Sequence, residues 1–366
     1  MKATVNTKDL IKALAQVNRV NSRRVTLPVL TSILMDFSNN KLTLASTNLE
    51  CAVRVGIKCE ADAPFGLVLS KSLVSKFVRP NSPTTLFTTG KDVPNPVSVI
   101  EQQGVGKMNI FGAKPTDFPP LPVIPDPTDW LTVDAKWFCR MLGILLTSCA
   151  KEENRPVLTG IAFNDGAMAT ADGFRLVVVK SDRLKFGALP KDGIIIPHTT
   201  AFVAQKLFEK EESIQIAAEP MKHLIHFVSK DTSLTSQLIQ GSFPQYEQLI
   251  PLSFTSRLSV SAPLMVQRLD MMDTSMGSGI VKMFVQEEGV LTIVHNDPEF
   301  MDYEMTIPAK TDHEQFKIAM QYKYLMDAIK PFSLCTLEMS NASSPLKVTG
   351  DIEELMVIIM PMFIQW

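Results

Sequence analysis

The feature that most constrains this 366-residue chain is an internal repeat of domain size. Three windows, which begin at Val5, Val133 and Val260, carry apolar residues at the same four offsets. These apolar residues are Leu10, Ile11, Leu14 and Val17; Phe138, Cys139, Leu142 and Leu145; and Met265, Val266, Leu269 and Met272. The i, i+1, i+4, i+7 spacing places them on one face of an amphipathic helix. Because the repeat is roughly 125 residues long, each copy has the size of a whole domain rather than of a solenoid unit.

The repeat continues beyond these helices. The phrase Pro-Val-Leu-Thr follows Leu27 in the first copy and Arg155 in the second, and both phrases lead into alternating stretches typical of hairpins. The third copy keeps the turn at Glu287-Glu-Gly and the strand that begins at Val290. A second helix is predicted in each copy, over Ser70–Val78, Thr199–Glu211 and Gln321–Ile329. Short strands are predicted to follow, such as Ile214–Ala218, His223–Ser229 and Leu337–Asn341.

Proline-rich segments separate the copies. They lie at Pro119–Pro127 and around Pro251, and proline clusters favour stiff connectors without regular structure. We therefore predict three domains, over residues 1–125, 126–253 and 254–366. Each domain is predicted to be an α+β unit with two helices on one face of an antiparallel sheet.

The composition is that of an ordinary globular chain, with 45% hydrophobic and 20% charged residues and a net charge of −2. No apolar run reaches the roughly 18 residues that a membrane span needs, and the first residues lack the apolar core of a secretion signal. Five scattered cysteines indicate reduced thiols rather than a disulfide framework. These features predict a cytoplasmic protein without a membrane partner.

The helices carry a recurring pattern of cations. Lys8 and Lys12 lie opposite the apolar face of the first helix, and Lys136 and Arg140 occupy the same offsets in the second copy. The third copy has Pro263 and Gln267 at these offsets, with Arg268 next to them. The second helices add Lys71, Lys76, Lys206, Lys210 and Lys323. Such a surface is typical of contact with a phosphate backbone without reading of sequence, although solvation of exposed helix faces explains the same pattern.

No motif predicts catalysis or a cofactor. The chain lacks the glycine-rich phosphate loops and Cys-x-x-Cys pairs. His223 and His226 lie in an apolar, strand-like run without a third ligand, so a plain strand is favoured over a zinc site. The other histidines are single: His198, His295 and His313. Asp172-Gly-Phe-Arg175 could bring a carboxylate and a guanidinium together for acid–base chemistry, but a simple turn before a strand is the favoured interpretation.

Four separated phrases resemble a known family. They are Arg155-Pro-Val-Leu-Thr-Gly-Ile, Ala169-Thr-Ala-Asp-Gly-Phe-Arg-Leu, Gly241-Ser-Phe-Pro-Gln-Tyr with Ile250-Pro, and Ile358-Ile-Met-Pro-Met. In this order they closely resemble the bacterial DNA sliding clamp, the beta subunit of DNA polymerase III. The resemblance covers the whole chain, including Leu27-Pro-Val-Leu and Thr47-Asn-Leu-Glu.

The resemblance implies a non-enzymatic, nucleoid-associated processivity factor. Clamps of this family are head-to-tail homodimers, so three domains per chain give a six-domain ring with helices lining the hole. The implied partners are double-stranded DNA, a second copy, the polymerase catalytic subunit, the clamp loader and other proteins with a clamp-binding motif. One alternative is a divergent second clamp that serves a specialised or repair polymerase. Another is a repeat-built enzyme that uses Asp172 and Arg175.

The family's functional positions carry over residue by residue. The partner-peptide groove maps to Leu158, Thr170, Gly173, Phe174, Arg175, Leu176, Pro244, Gln248, Leu249, Pro345, Leu346, Ile358, Ile359, Met360, Pro361 and Met362. The expected DNA-facing residues are Arg24, Lys8, Lys12, Lys71, Lys76, Lys136, Arg140, Lys206 and Arg268. The expected dimer contacts are Met108 and Ile110 in the first domain and Met271 and Met272 in the third.

The chain departs from the family at several of these positions. Phe174 stands where His or Tyr is frequent, and Gln248 stands where a basic residue is common. The tail Phe363–Trp366 extends past the usual end and is a candidate to cover the groove. Glu152 and Glu153 lie at positions close to DNA in the family, where they would weaken phosphate attraction. These differences concern partner preference rather than fold.

Overall fold

The structure, a computed structural model, describes residues 1–20, 27–89, 97–126, 130–152, 154–187, 189–271, 279–287, 289–297, 301–312 and 316–364. The chain separates into two compact units. The first comprises Met1–Cys139 and Phe202–Leu238, and the second comprises Arg140–Ala201 and Ile239–Trp366. The domain boundaries near residues 125 and 253 stay a prediction, because the two units follow packing rather than the sequence repeat.

Six α-helices form within the described residues, two in each copy of the repeat. They are α1 Thr7–Val17, α2 Lys71–Phe77, α3 Ala135–Leu145, α4 His198–Phe208, α5 Ala262–Asp270 and α6 Tyr322–Ile329. All six helices predicted from the repeat are confirmed, although α4 ends three residues earlier than Glu211. The start of α1 is fixed by the Asn6 side chain, which accepts hydrogen bonds from the backbone N–H groups of Lys8 and Asp9.

The strands alternate with these helices. The first copy contains β1 Lys2–Asn6, β2 Ser32–Ser38, β3 Lys41–Thr47, β4 Cys51–Ala61, β5 Phe65–Ser70, β6 Thr84–Thr89, β7 Val97–Gln102 and β8 Gly106–Phe111. The second contains β9 Leu131–Asp134, β10 Gly160–Asn164, β11 Ala167–Ala171, β12 Arg175–Lys180, β13 Ile194–Pro197, β14 Ser213–Glu219, β15 Leu224–Val228 and β16 Thr232–Gln237. The third contains β17 Ser256–Ser261, β18 Ile280–Glu287, β19 Val290–Asp297, β20 Met301–Thr311, β21 Lys317–Gln321, β22 Leu334–Met339, β23 Leu346–Gly350 and β24 Leu355–Ile359.

Each unit holds one antiparallel sheet that joins strands from two copies of the repeat. In the first unit the order is β8-β7-β6-β1-β4-β16-β15-β14-β9. Three further strands branch from β4: β3 pairs with β4, β2 pairs with β3, and β5 pairs with β2. In the second unit it is β13-β10-β11-β12-β24-β23-β22-β17-β20-β19-β18-β21. The joining pairs are β4 with β16, where Val53 faces Leu234, and β12 with β24, where Leu176 faces Ile358. The last strand of one copy therefore extends the sheet of the copy before it.

The apolar faces of the first helices form part of the core. Leu10, Leu14 and Val17 are at most 3% exposed, as are Phe138 and Leu142 in α3. The predicted core positions Ile11 and Val266 are only half-buried, and Met272 lies outside the described residues. All five cysteines are buried and free, and no helix in the described part of the chain has the length and apolar character needed to cross a membrane.

Two local expectations change in the structure. The phrase Pro-Val-Leu-Thr forms a short 3-10 helix in both copies, over Pro28–Thr31 and Pro156–Thr159, because proline fits the first helical turn. The strand predicted from His223 starts one residue later, since His223 adopts a left-handed conformation with φ of 54°.

Candidate functional site

The turn before β12 places the central residues of the predicted groove. The Asp172 Oδ1 atom accepts hydrogen bonds from the backbone N–H groups of Phe174 and Arg175, both at 3.0 Å. Gly173 has a φ of +93°, a left-handed conformation that glycine adopts without strain. The structure thus confirms the turn, which aims the Phe174 side chain outward with 58% of its surface exposed.

Arg175 is the most constrained charged residue of this region. Its side chain is 7% exposed, and it donates from Nε to Asp172 Oδ2 at 2.9 Å and from Nη1 to Asp327 Oδ2 at 2.7 Å. Its Nη2 atom donates to the carbonyl oxygen of Thr147. Burial opposes the charged form, but the bonds to Asp327 and Asp172 outweigh it and raise the pKa of Arg175. The guanidinium is therefore a fixed cation whose donors are used within the protein.

Tyr324 connects this cation to the exposed Phe174. The Arg175 guanidinium lies 4.5 Å from the Tyr324 ring centroid, and the Phe174 and Tyr324 rings stack with centroids 6.1 Å apart. Tyr324 and Asp327 both belong to α6, so the second copy's turn is bound to a helix of the third copy. Tyr324 and Asp327 were missed by the sequence analysis, because no motif or spacing links them to residues about 150 positions earlier in the chain.

A cavity of about 930 Å³ opens beside this network. Four predicted groove residues line it: Leu158, Gly173, Phe174 and Arg175. Apolar wall is added by Leu146, and cations stand at Lys151, Arg155 and Lys323. The lining therefore combines apolar wall with charged side chains of both signs, as ligand sites that fix the orientation of a ligand do.

A separate apolar cluster holds two other predicted residues. Because successive strand residues point to opposite faces, Leu176 points away from Arg175. Leu176 and Ile358, each 3% exposed, pack with Ala162, Ala169, Val178 and Tyr246. Burial, with a contribution from Glu247, raises the pKa of Tyr246 to about 12, so its hydroxyl stays neutral. The predicted groove set is therefore divided between a cavity and a buried cluster.

The remaining groove residues differ in how much surface they offer. Exposed are Pro244, Gln248, Leu249 and Met360; half-buried are Pro345 and Met362; buried are Thr170, Leu346, Ile359 and Pro361. Two backbone bonds fix the chain end, from Met360 N–H to the carbonyl of Phe174 and from Met362 N–H to the carbonyl of Ala319, each 2.8 Å long. Phe363 is 82% exposed, and Trp366 lies outside the described residues, so the expectation that the tail covers the groove stays a prediction.

The predicted DNA-facing cations differ in how far their side chains are exposed to solvent. Exposed are Lys8, Lys12, Lys76, Lys136 and Arg140, the last of which donates one bond to the carbonyl of Pro331. Lys206 is half-buried and lies 4.0 Å from Glu209, and Arg268 is half-buried beside Met271. The Lys71 ammonium donates to the carbonyl of Val20 at 2.9 Å, and burial lowers its pKa, so a contact of Lys71 with DNA stays a prediction. Arg24 and Glu153 lie outside the described residues.

The expected dimer contacts also differ in exposure. Met108 is half-buried and Ile110 is 2% exposed, so the contact of these two residues with a second copy stays a prediction. Their neighbour Phe111 is 76% exposed. Met271 is 56% exposed, and Met272 lies outside the described residues.

The two neighbouring histidines do not act together. His223 is exposed in its turn, whereas His226 is fully buried. The ring nitrogens of His226 lie 2.9 Å from Thr235 Oγ1 and 2.9 Å from Glu219 Oε2. Burial lowers the pKa of His226 in spite of the Glu219 carboxylate, so the ring is neutral and donates to Glu219. Both nitrogens are thereby occupied.

Comparisons with known proteins agree over the whole chain. The models of the N-terminal, central and C-terminal domains of the DNA polymerase III beta subunit match residues 1–122, 132–245 and 247–363. A beta sliding clamp of Caulobacter vibrioides is 27% identical over 345 residues, which cover 89% of each chain. The crystal structure of the Bacillus subtilis DNA polymerase sliding clamp superposes with a TM-score of 0.89 at 20% identity and full coverage of both chains. A Bartonella birtlesii sliding clamp bound to griselimycin gives a TM-score of 0.89 at 24% identity, again over both whole chains.

Proposed function

The chain belongs to the DNA polymerase III beta subunit family of bacterial sliding clamps, and we propose that it is the processivity factor of a replicative DNA polymerase. Two copies join head to tail in a ring that encircles duplex DNA in the bacterial cytoplasm. The ring slides on the DNA, tethers the polymerase and other partners, and catalyses no reaction itself. Its partners are DNA, a second copy, the polymerase catalytic subunit, the clamp loader and other proteins with a clamp-binding motif.

The observation that supports a ring concerns two strand edges, one on β8 and one at the start of β20, that have no pairing partner in the described part of the chain. β16 pairs with residues 51–55 of β4, and β24 pairs with residues 175–179 of β12. By the same repeat, β8 would pair with the start of β20. In the described part of the chain β8 pairs only with β7, while the start of β20 pairs only with β19. Pairing of these edges between two copies completes the pattern and leaves no open edge at the junctions.

Solution mass tests the dimer. Light scattering should give about twice the chain mass of 40.6 kDa. Phe111→Glu, which places a charge on the exposed face of β8, should shift the protein to the monomer mass, whereas Val105→Glu in the preceding turn should not. A monomer mass for the unaltered chain at micromolar concentration would contradict the ring.

The interaction with DNA is proposed to be electrostatic and independent of sequence. The main contacts with the DNA phosphates are proposed to come from the exposed helix cations Lys8, Lys12 and Lys136. The clamp, once loaded, should stay on circular DNA and slide off linear DNA at moderate salt; equal dissociation from both forms would contradict topological binding. Replacing the three lysines by Gln should reduce the slope of log K against log salt for direct DNA binding by up to about 0.9 for each phosphate that is no longer neutralised. Lys58→Gln on β4 is the matched control.

Partner peptides are proposed to bind around Phe174 and Met360, the exposed apolar residues beside the cavity. A peptide of the Gln-Leu-x-Leu-Phe type should lose affinity for Phe174→Asp and Met360→Asp. Leu334→Asp, at a similarly exposed site on β22, is the control. Leu176→Asp is not a clean test, because Leu176 is 3% exposed and a carboxylate there would disturb the core. Unchanged affinity in both groove variants would contradict the assignment.

A divergent second clamp remains the other candidate, favoured by one observation. Phe363 is 82% exposed and lies three residues after Met360, in the segment that follows β24, where it adds apolar surface next to the proposed groove. Deletion of residues 363–366 distinguishes the two roles. A clamp specialised by its tail would lose affinity for one partner and keep it for others, whereas a general clamp would keep all of them.

A further inference from the structure

Arg140 connects two helices of the second unit. It lies on α3 among the cations expected to face DNA, and it is exposed. Its Nη2 atom donates a hydrogen bond of 3.0 Å to the carbonyl oxygen of Pro331, which lies 191 residues later in the chain. Pro331 comes two residues after the end of α6 at Ile329. This bond therefore joins an expected DNA-facing cation to the end of the helix that carries Tyr324.

A second link joins the same two helices at the proposed groove. The Arg175 guanidinium donates to Asp327 Oδ2 on α6 at 2.7 Å and to the carbonyl oxygen of Thr147. Thr147 lies in the short 3-10 helix Leu146–Ser148, which follows α3 directly. The two helices are therefore tied twice, once through Arg140 and once through Arg175. All residues of both links belong to the second unit, so the links and the helices form a closed loop.

This loop holds the exposed aromatic surface of the groove. Phe174 belongs to the turn directly before Arg175, where its backbone N–H donates to Asp172 Oδ1 at 3.0 Å. Its ring stacks on Tyr324 of α6, with centroids 6.1 Å apart. A displacement of α6 relative to α3 would separate these two rings. The surface offered to a peptide therefore depends on both links.

The first copy of the repeat shows that the fold does not require these links. Lys12 occupies the offset of Arg140, and its ammonium makes no hydrogen bond or ion pair with any residue that the structure describes. Cys51 occupies the position of Arg175, and burial raises the pKa of its thiol to about 12, so the thiol is neutral. Both links are thus present beside the proposed groove, and their counterparts are absent in the first copy.

We propose that Arg140 is a positioning residue for the partner-peptide groove, and that DNA phosphate bound at Arg140 raises the affinity of the groove for its peptide. The inference rests on the proposed function, because it needs both the DNA contact and the groove. A guanidinium has five N–H donors in one plane, and the bond to Pro331 uses one of them. A phosphate that accepts bonds from the others fixes the side chain in the orientation that also holds Pro331. Arg140 and the end of α6 are then already ordered when the peptide binds, so peptide binding loses less conformational entropy.

The affinity of one uncharged peptide, with and without DNA, tests the proposal. Acetylated and amidated Gln-Leu-Ser-Leu-Phe carries no charge, so it has no direct Coulomb interaction with the DNA phosphates. Its Kd for the unaltered clamp should fall about fivefold when a duplex of about 20 base pairs saturates the clamp at low salt, which is the lower end of usual couplings between two sites. By reciprocity, saturating peptide should raise the affinity for the duplex by the same factor.

Two variants at the same offset of the repeat separate the roles that Arg140 could have. Arg140→Gln should weaken duplex binding and abolish the effect of DNA, so that the peptide Kd is the same with and without saturating duplex. Lys12→Gln is the matched control, because it removes an exposed cation that has no link to a second helix. It should weaken duplex binding to a similar degree and keep the effect of saturating duplex on the peptide.

The outcomes distinguish this inference from the function on which it rests. A peptide Kd that stays equal or rises when duplex is added to the unaltered clamp overturns the coupling, while both binding functions stand. If Arg140→Gln weakens the peptide by one factor with and without duplex, Arg140 only supports the fold. If Arg140→Gln binds the peptide as the unaltered clamp does in both conditions, another cation transmits the effect. Either result overturns the proposal. Failure of the unaltered clamp to bind the peptide or the duplex would contradict the proposed function, and with it this inference.

Discussion

Replacement of Arg175 by alanine should release α6 from the turn before β12. The substitution removes the bonds to Asp172, Asp327 and the Thr147 carbonyl, and the packing on the Tyr324 ring. Removal of one partner from a buried ion pair costs about 3–5 kcal/mol, because the remaining charge stays buried. Here Asp172 keeps its two backbone donors, and Asp327, with 27% of its side chain exposed, can be hydrated. We therefore expect the lower end, about 3 kcal/mol.

Hydrogen exchange is the suitable assay. The tryptophans Trp130 and Trp137 belong to the first unit, so their fluorescence would not report on α6. Amides that exchange by local opening of α6 should exchange roughly 150-fold faster in Arg175→Ala, since about 1.4 kcal/mol corresponds to a factor of ten. Arg175→Lys keeps the charge but not the planar fork, and should give an intermediate rate.

A matched arginine provides the control. Arg257 donates to Glu338 at 2.6 Å, but its side chain is 56% exposed and Glu338 keeps Lys347 at 3.0 Å. Arg257→Ala should therefore destabilise the protein far less than Arg175→Ala, because solvent screens an exposed ion pair. If α6 amides in Arg175→Ala accelerate by less than about fivefold, or if Arg257→Ala gives an equal effect on its own strand, burial of the guanidinium is not what holds α6.

Three further predictions concern the rest of the chain. Because burial lowers the pKa of His226 below its usual 6.5, the unfolded chain binds the proton more readily, so the free energy of unfolding of the first unit should fall as pH drops below 6.5. His226→Gln should flatten this dependence in urea unfolding followed by tryptophan fluorescence; an unchanged slope would contradict the assignment. Asn6→Ala should cost about 1 kcal/mol in the same assay through loss of two bonds at the start of α1, and no cost would mean that water replaces them. All five buried thiols should resist alkylation until the chain unfolds, since burial raises the pKa of Cys149 and Cys335 to about 12; rapid labelling of the native chain would refute this.

The helices could be predicted because their signal is local and occurs three times. The same spacing that marked Leu10 and Phe138 as buried depends only on residues within two turns of one helix. Charge placement was less predictable. Lys71 and Lys76 both belong to α2, and Lys76 is exposed, yet the Lys71 ammonium binds the Val20 carbonyl, a partner 51 residues away in the sequence. A pattern on one helix cannot show which exposed face meets another segment.

The candidate site depends on contacts that the sequence does not encode locally. Arg175 lies 152 residues from Asp327, and their bond exists only because β12 pairs with β24 of the next copy. The family resemblance supplied Arg175 and Phe174 but not Tyr324 or Asp327. Of the residues that the resemblance assigned to the groove, Arg175 lines the cavity and Leu176 belongs to a buried cluster, since alternation along β12 sends these two side chains to opposite faces.

A comparison of two turns explains why the site forms at one place in a repeated fold. Before β4, Asn48 Oδ1 accepts backbone bonds from Glu50 and Cys51 at 3.1 and 2.8 Å, as Asp172 does before β12. The next residue is left-handed in both turns, with φ of 76° at Leu49 and 93° at Gly173. The backbone is therefore repeated, but the residue that begins the strand is a buried, neutral thiol at Cys51 and a cation at Arg175. A neutral thiol cannot form an ion pair with an acidic residue of another helix, so the ion-pair network with α6 depends on side-chain identity at one position of a shared turn.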